Sequence, residues 1–236
     1  MPNARYHWWL KFWDGRRGGC WPGEDENRAD LPRLYRNQAR VLTWLIEGHS
    51  VRRMLELGCG DGQLYDHLEL PHVDYWGVDF RASAIETLRQ RHPALHLFDA
   101  DAATFRVPQQ FDVIFSFGLL QQFDTEMVRQ HLHNAHAMLP YDGLLIMADF
   151  RWRSYQLQQM LTETAALVRA GSVSNFRRRL SSLNLMRHSQ AYSRSHLEAL
   201  GTEAGFATEF FGSFGLPGYL TARLTKTRPR PSTPAE

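Results

Sequence analysis

The chain has 236 residues, with 27 Lys and Arg against 25 Asp and Glu, a formal charge of +2, and 43% hydrophobic residues. That balance suits one globular α/β domain with additions, and shows no clustered basic face for general nucleic-acid binding. Two cysteines, Cys20 and Cys59, make neither a disulfide framework nor a metal-ligand set. No apolar run approaches a membrane span, and the N-terminus lacks a basic-then-apolar leader, so a cytoplasmic enzyme or binding protein is expected.

The first 33 residues form an aromatic-rich arm. Tyr6, His7, Trp8, Trp9, Phe12, Trp13 and Trp21 crowd together, interrupted by Gly15, Gly18, Gly19, Pro22 and Gly23, so a helix is expected only over about 6–13. The aromatics either anchor the arm by burial or form a lid over a pocket, and both readings are compatible. A helix is expected from Asp30, with Pro32 in its first turn, to near Gly48. Strand signals follow at 51–57 and 73–79, separated by a glycine turn and a helix over 64–70. A helix over 82–91, a short strand at 95–98, a buried strand at 111–116 and a helix over 125–138 come next. A second buried strand covers 144–148. Two helices, 155–170 and 173–185, break the alternation as an insertion. A helix at 193–204 and a hairpin of 206–211 with 219–224 close the domain. The proline-rich tail, 227–236, has too little apolar material to fold.

The chemistry centres on Glu56-Leu57-Gly58-Cys59-Gly60-Asp61-Gly62. Glycines that end a strand permit φ > 0 and let backbone lie against a ligand. The third glycine comes one residue too early for a dinucleotide fingerprint. Glu56 and Asp61 would repel a pyrophosphate but suit a cofactor carrying an ammonium and a sulfonium. Cys59 reads as packing within the turn.

Glu56-x-Gly58-x-Gly60-x-Gly62 resembles motif I of the class I S-adenosylmethionine-dependent methyltransferases. The resemblance covers about 34–226. It implies a Rossmann-like, seven-stranded, mostly parallel sheet with an antiparallel edge strand, helices on both faces and a helical cap inserted at about 152–192. It also implies S-adenosyl-L-methionine as cofactor and S-adenosyl-L-homocysteine as product.

Further positions fall at the carboxyl ends of successive strands, where open α/β sheets bind ligands. Asp79 follows Gly58 at about the twenty-residue spacing of a ribose-binding carboxylate, with Phe80 beside it; alone it would read as a helix cap. Asp101 and Ala102 match the family's adenine-binding acid and its neighbouring amide, with Asp99 as a competitor. Ser116-Phe117-Gly118 resembles the backbone beside the methionine part of the cofactor. Many relatives carry histidines where Gln121 and Gln122 stand, so a general base is lacking there. The Asn/Asp-Pro-Pro-Tyr/Phe signature of base methylation is absent, which speaks against a flipped nucleobase.

Candidate bases are His188, Asp149, Tyr35 and His7, each with a plainer structural role open to it. His131, His133 and His136 share one helix with no carboxylate to complete a metal triad, so no metal is expected. Trp8, Trp9, Gln121, Arg178 and Arg187 are candidate substrate contacts. The arginines would grip an anion while the aromatics cover an apolar body. The leading expectation is methyl transfer to an oxygen or nitrogen of a small, anionic, partly apolar molecule. A nicotinamide-dependent dehydrogenase, a methyltransferase-like scaffold, and a protein or RNA acceptor remain as alternatives.

Overall fold

A computed structural model describes residues 4–13, 31–151, 153–168, 173–212 and 219–228. The elements run α1 (Ala4–Trp13), α2 (Leu31–Leu45), β1 (Arg53–Leu57), β2 (Asp74–Asp79), α3 (Ala82–Arg91), β3 (His96–Asp99) and β4 (Val113–Phe117). They continue with α4 (Thr125–Met138), β5 (Leu144–Arg151), α5 (Arg153–Val168), α6 (Val173–His188), α7 (Arg194–Glu203), β6 (Phe206–Gly212) and β7 (Tyr219–Lys226).

One seven-stranded sheet has the order β3-β2-β1-β4-β5-β7-β6. Strands β1 to β5 are parallel, whereas β7 is antiparallel to both β5 and β6. The antiparallel strand therefore sits one place in from the edge. The order reverses between β1 and β4, which opens a crevice at their carboxyl ends.

Burial follows the period of a strand covered on both faces. Met54, Val113, Phe115, Leu144 and Ile146 join Ala39, Leu42 and Leu45 of α2 in one apolar cluster. Leu55, Ile114, Leu145 and Met147 point the other way, to Val128, Leu132 and Ala135 of α4 and Leu197 and Leu200 of α7. Leu55 and Ile114 are fully buried, and truncating either to alanine would cost about 2–5 kcal/mol. Asp124 caps α4 by accepting from Met127 N at 2.9 Å. At its other end Lys226 Nζ donates to the carbonyls of His136 and Leu139 at 2.8 and 2.7 Å, which pins β7 to the negative end of that helix.

The expected helix over 64–70 is absent. Residues Tyr65–His67 make a single 3-10 turn, with His67 N on Leu64 O at 2.9 Å and Leu68 N on Tyr65 O at 3.0 Å. Between the left-handed Gly62 and Pro71 too few residues remain to repay helix nucleation. Strand β5 runs past the expected Ala148 to Arg151, with a register shift between Met147 and Phe150. In α1, Tyr6 and Trp9 are buried. Cys20, Trp21 and Asp30 lie outside the described residues, as does the tail beyond 228.

Candidate functional site

The glycine turn is held by backbone. Gly58 N and Cys59 N donate to Val78 O at 2.7 and 3.0 Å, and Gly62 N donates to Cys59 O at 3.0 Å. Gly60 and Gly62 have φ of +57° and +82°, a region costly for residues with a Cβ. They serve different ends. A Cβ at Gly62 would lie 2.3 Å from Leu88 Cδ1, so that glycine lets α3 pack against the turn. Gly60 instead turns its N–H to Asp79 Oδ2, at 2.9 Å. Burial pushes the Cys59 thiol up, and a protonated thiol wedged near Gly77 is packing rather than a nucleophile. The Asp61 side chain is half-buried and accepts from Gln63 Nε2 at 3.3 Å.

Asp79 ends β2 almost fully buried. Its Oδ1 accepts from Arg81 N at 2.9 Å and Arg81 Nε at 3.2 Å. With Gly60 N that makes three donors, and a carboxylate has about four lone-pair sites, so one acceptor position is left for a ligand hydroxyl. Phe80 beside it is half-buried. Glu56 is buried beneath the turn and accepts from the Tyr75 hydroxyl. Burial, helped by the Asp79 charge, raises the Glu56 pKa to about 8, so it is largely protonated at neutral pH until a cation arrives beside it.

Asp101 follows β3. Its Oδ1 accepts from Ala103 N at 2.8 Å and from the Tyr6 hydroxyl of α1. Tyr6 packs edge-on against Phe123, 5.8 Å between centroids, so α1 lies against this loop. Ala102 is buried, whereas Asp99 is exposed. After β4, Ser116 is buried, Phe117 is half-buried and Gly118 takes φ +64°. Gln121 is fully buried. Its Nε2 donates to Gly118 O at 3.1 Å, while its Oε1 has no partner among the described residues. An orphaned buried acceptor costs about 1–3 kcal/mol, so this corner of the crevice has unmet hydrogen-bonding capacity.

The candidate bases whose side chains are described do not gather. The His188 ring stacks on Trp8 at 4.0 Å between centroids and its Nδ1 meets Asn184 O at 2.8 Å. Trp9 Nε1 donates to the His188 carbonyl at 3.0 Å, so Trp8 and Trp9 fasten α1 to the end of α6. Tyr35 packs in the α2-side cluster, and His7 is exposed. The side chains of Asp149 and Arg178 lie outside the described residues. His131 is buried against Phe123, and burial lowers its pKa to about 4, so it is neutral. Arg187 lines a cavity of about 670 Å³ with Gln156, Leu157, Met160, Met186, Tyr192 and His196. Its wall is joined to the β4 loop by Gln190 N donating to Gln121 O at 2.6 Å. Sequence reasoning does not reach Tyr6, Tyr75 or Arg81. Only the aromatic crowding of the arm hints at the first.

A parallel sheet with one antiparallel strand near its edge, a glycine turn after β1 and acids after β2 and β3 define the class I S-adenosylmethionine-dependent methyltransferase architecture. Residues 55–145 match a family model described as a methyltransferase domain. A non-canonical nonribosomal peptide synthetase, CymA, of Salinispora arenicola is 29% identical over 70% of this chain. A malonyl-[acyl-carrier protein] O-methyltransferase of Bacillus cereus is 32% identical over 44% of it. The chain spans 2% of the first relative and 39% of the second. The N-methyltransferase NodS of Bradyrhizobium japonicum, solved with S-adenosyl-L-homocysteine, shares the fold with a TM-score of 0.62 and 18% identity, over 96% of this chain and 100% of that one.

Proposed function

We propose that the chain binds S-adenosyl-L-methionine at the glycine turn and transfers its methyl group to an oxygen or nitrogen of a small acceptor. The observation that carries this reading is the Gly60 N–Asp79 Oδ2 bond, which couples the glycine turn to the ribose-type acid at the reversal of strand order. In this reading Glu56 or Asp61 answers the cofactor ammonium, with Gly58, Cys59, Gly60 and Gly62 giving close backbone approach. Asp79, beside Phe80, receives the ribose hydroxyls. Asp101 and Ala102 meet the adenine, and Ser116, Phe117 and Gly118 flank the methionine part. The cofactor supplies a methyl already activated on a sulfonium, open to in-line displacement.

The chain's own task is then alignment and exclusion of water, which can supply most of the rate. The buried Gln121 amide is suited to orienting an acceptor rather than deprotonating it. A base is needed only for an acceptor that arrives protonated, and no such role is assigned to His188, Asp149, Tyr35 or His7. We place the acceptor in the cavity beside Arg187, whose guanidinium meets its anionic group while Met160 and Met186 cover its apolar part. A malonyl-type carboxylate, which the Bacillus cereus relative takes by name, suits that pairing. Residues 34–226 are read as the catalytic domain, 152–192 as its cap and 1–33 as the arm, with Trp8 and Trp9 fixing the arm to the cap. A cytoplasmic setting belongs to the same proposal; among the described residues no helix is long and apolar enough to cross a membrane.

Isothermal titration tests the cofactor assignment. S-Adenosyl-L-homocysteine is expected to bind one to one, and NAD(H) not at all. Tight NAD(H) binding with indifference to S-adenosyl-L-homocysteine would return the chain to the dehydrogenase reading.

A further inference from the structure

The hairpin of α5 and α6 is unlike the rest of the molecule. Residues 151–190 hold seven arginines and one acid, Glu163, while the remaining residues carry more acids than bases. Five of the seven large apolar side chains exposed among the described residues sit on these two helices. They are Leu157 and Leu161 on α5, and Val173, Phe176 and Leu180 on α6. Isolated exposed leucines need no explanation, but a cluster of this kind marks an interaction site.

The pattern on α6 is ordered. Val173, Arg177, Leu180, Asn184 and Arg187 are all exposed, and their spacing of three and four residues places them on one helix face. At 1.5 Å per residue this stripe runs for about 21 Å. It ends at Arg187, on the wall of the cavity. Arg179 is on another face and is taken up by Glu163 of α5 at 2.9 Å, which ties the two helices together.

We propose that this face docks a small acidic helical protein of the carrier type, which delivers the acceptor on a flexible tether into the adjoining cavity. Charge complementarity selects the occupant. A second copy of the chain would bring two arginine-rich hairpins together, which like-charge repulsion opposes. RNA would use the arginines and could stack a base on Phe176, but it would leave Leu157, Leu161, Val173 and Leu180 in water. A membrane favours an apolar face set apart from its basic one, whereas here Arg177 stands between Val173 and Leu180. An acidic helix answers both components, with apolar side chains against Leu180 and carboxylates against Arg177. The proposal rests on the methyl-transfer reading only for what is delivered, not for the docking itself.

The test is titration of the full chain with a panel of acidic acyl carrier proteins, with an RNA hairpin and phosphatidylglycerol vesicles as separate arms. Carrier binding is expected, weakening at least tenfold when salt is raised from about 50 to about 300 mM, as for other exposed charge pairs. The double variant Arg177→Glu/Leu180→Glu is expected to lose at least another tenfold while its titration with S-adenosyl-L-homocysteine stays unchanged. The proposal is overturned if no carrier binds, if the double variant binds carrier as well as the parent does, or if RNA or vesicles bind more tightly through the same two residues. Carrier binding without any S-adenosyl-L-homocysteine binding would support the docking face and sink the methyl-transfer reading.

Discussion

The Tyr6 phenol donates a hydrogen bond to Oδ1 of Asp101 across 95 residues of sequence, tying α1 to the loop after β3. Both burial and the Asp101 contact push the phenol's pKa up, so it stays a donor at any working pH. Tyr6→Phe keeps the ring against Phe123 and removes only the donor. A hydrogen bond to a charged group contributes about 1.5–3 kcal/mol, and Asp101 is half-buried, so the lower end applies. At about 2–4 °C per kcal/mol for a chain of this length, calorimetry should show a Tm lower by several degrees. An unchanged Tm would mean that α1 does not dock there in solution.

Gly60→Ala and Gly62→Ala should separate function from fold. The methyl at position 62 collides with Leu88 and forces α3 off the turn, so that variant loses stability in denaturant titration. At position 60 the new methyl meets only the guanidinium end of Arg81, at 3.0 Å. Gly60→Ala should therefore keep its circular dichroism spectrum and lose only the roughly 1–2 kcal/mol that a left-handed φ costs a residue with a Cβ, while S-adenosyl-L-homocysteine affinity falls at least tenfold. Normal affinity in that variant would remove the glycine turn from the cofactor seat.

Asp79 and Arg81 form an ion pair with only 8% of each side chain exposed. Breaking a buried pair from one side costs about 3–5 kcal/mol, because the other charge is stranded. Arg81→Met should accordingly destabilise the chain by about 3 kcal/mol in urea. Asp79→Asn should weaken S-adenosyl-L-homocysteine at least tenfold by titration calorimetry. If Asp79→Asn bound as tightly as the parent, the ribose role would pass to another residue.

Glu56 gives a pH signature. Its folded pKa of about 8 lies above the ordinary 4.5, so folding favours the protonated form. Its contribution to stability is full below pH 4.5 and is lost as pH rises through 8. A Glu56→Gln variant has no proton to lose at this position, and its amide oxygen still accepts from Tyr75. The Tm of the parent minus that of the variant should fall steadily between about pH 5 and pH 8 and level off above. A flat difference would show that Glu56 is already ionised in the folded protein.

Much of this arrangement is legible in the sequence, for reasons that differ by element. Met54 to Leu57 and Val113 to Ser116 read as covered strands because all but Glu56 and Ser116 are apolar, whichever face they take. The bounds of α3 and α4 follow from apolar spacing, which is local. The glycine turn and Asp79 are readable together because chemistry fixes their separation. The segment 64–70 misleads because Leu64 and Leu68 have helical spacing while Gly62 and Pro71 confine it to one turn. Tyr6 on Asp101, Tyr75 on Glu56 and Arg81 on Asp79 are pairings made by the fold, and no periodicity announces them.

The docking of Trp9 on the His188 carbonyl, 179 residues away, bears on how the chain is made. Helix α1 leaves the ribosome well before α6, yet its seat is complete only after α6 has emerged. At a synthesis rate of about 5–20 residues per second, Trp8 and Trp9 wait roughly ten to forty seconds for the end of α6. During that interval the nascent chain displays its most aromatic segment to the cell, which makes it a natural client for a ribosome-associated chaperone.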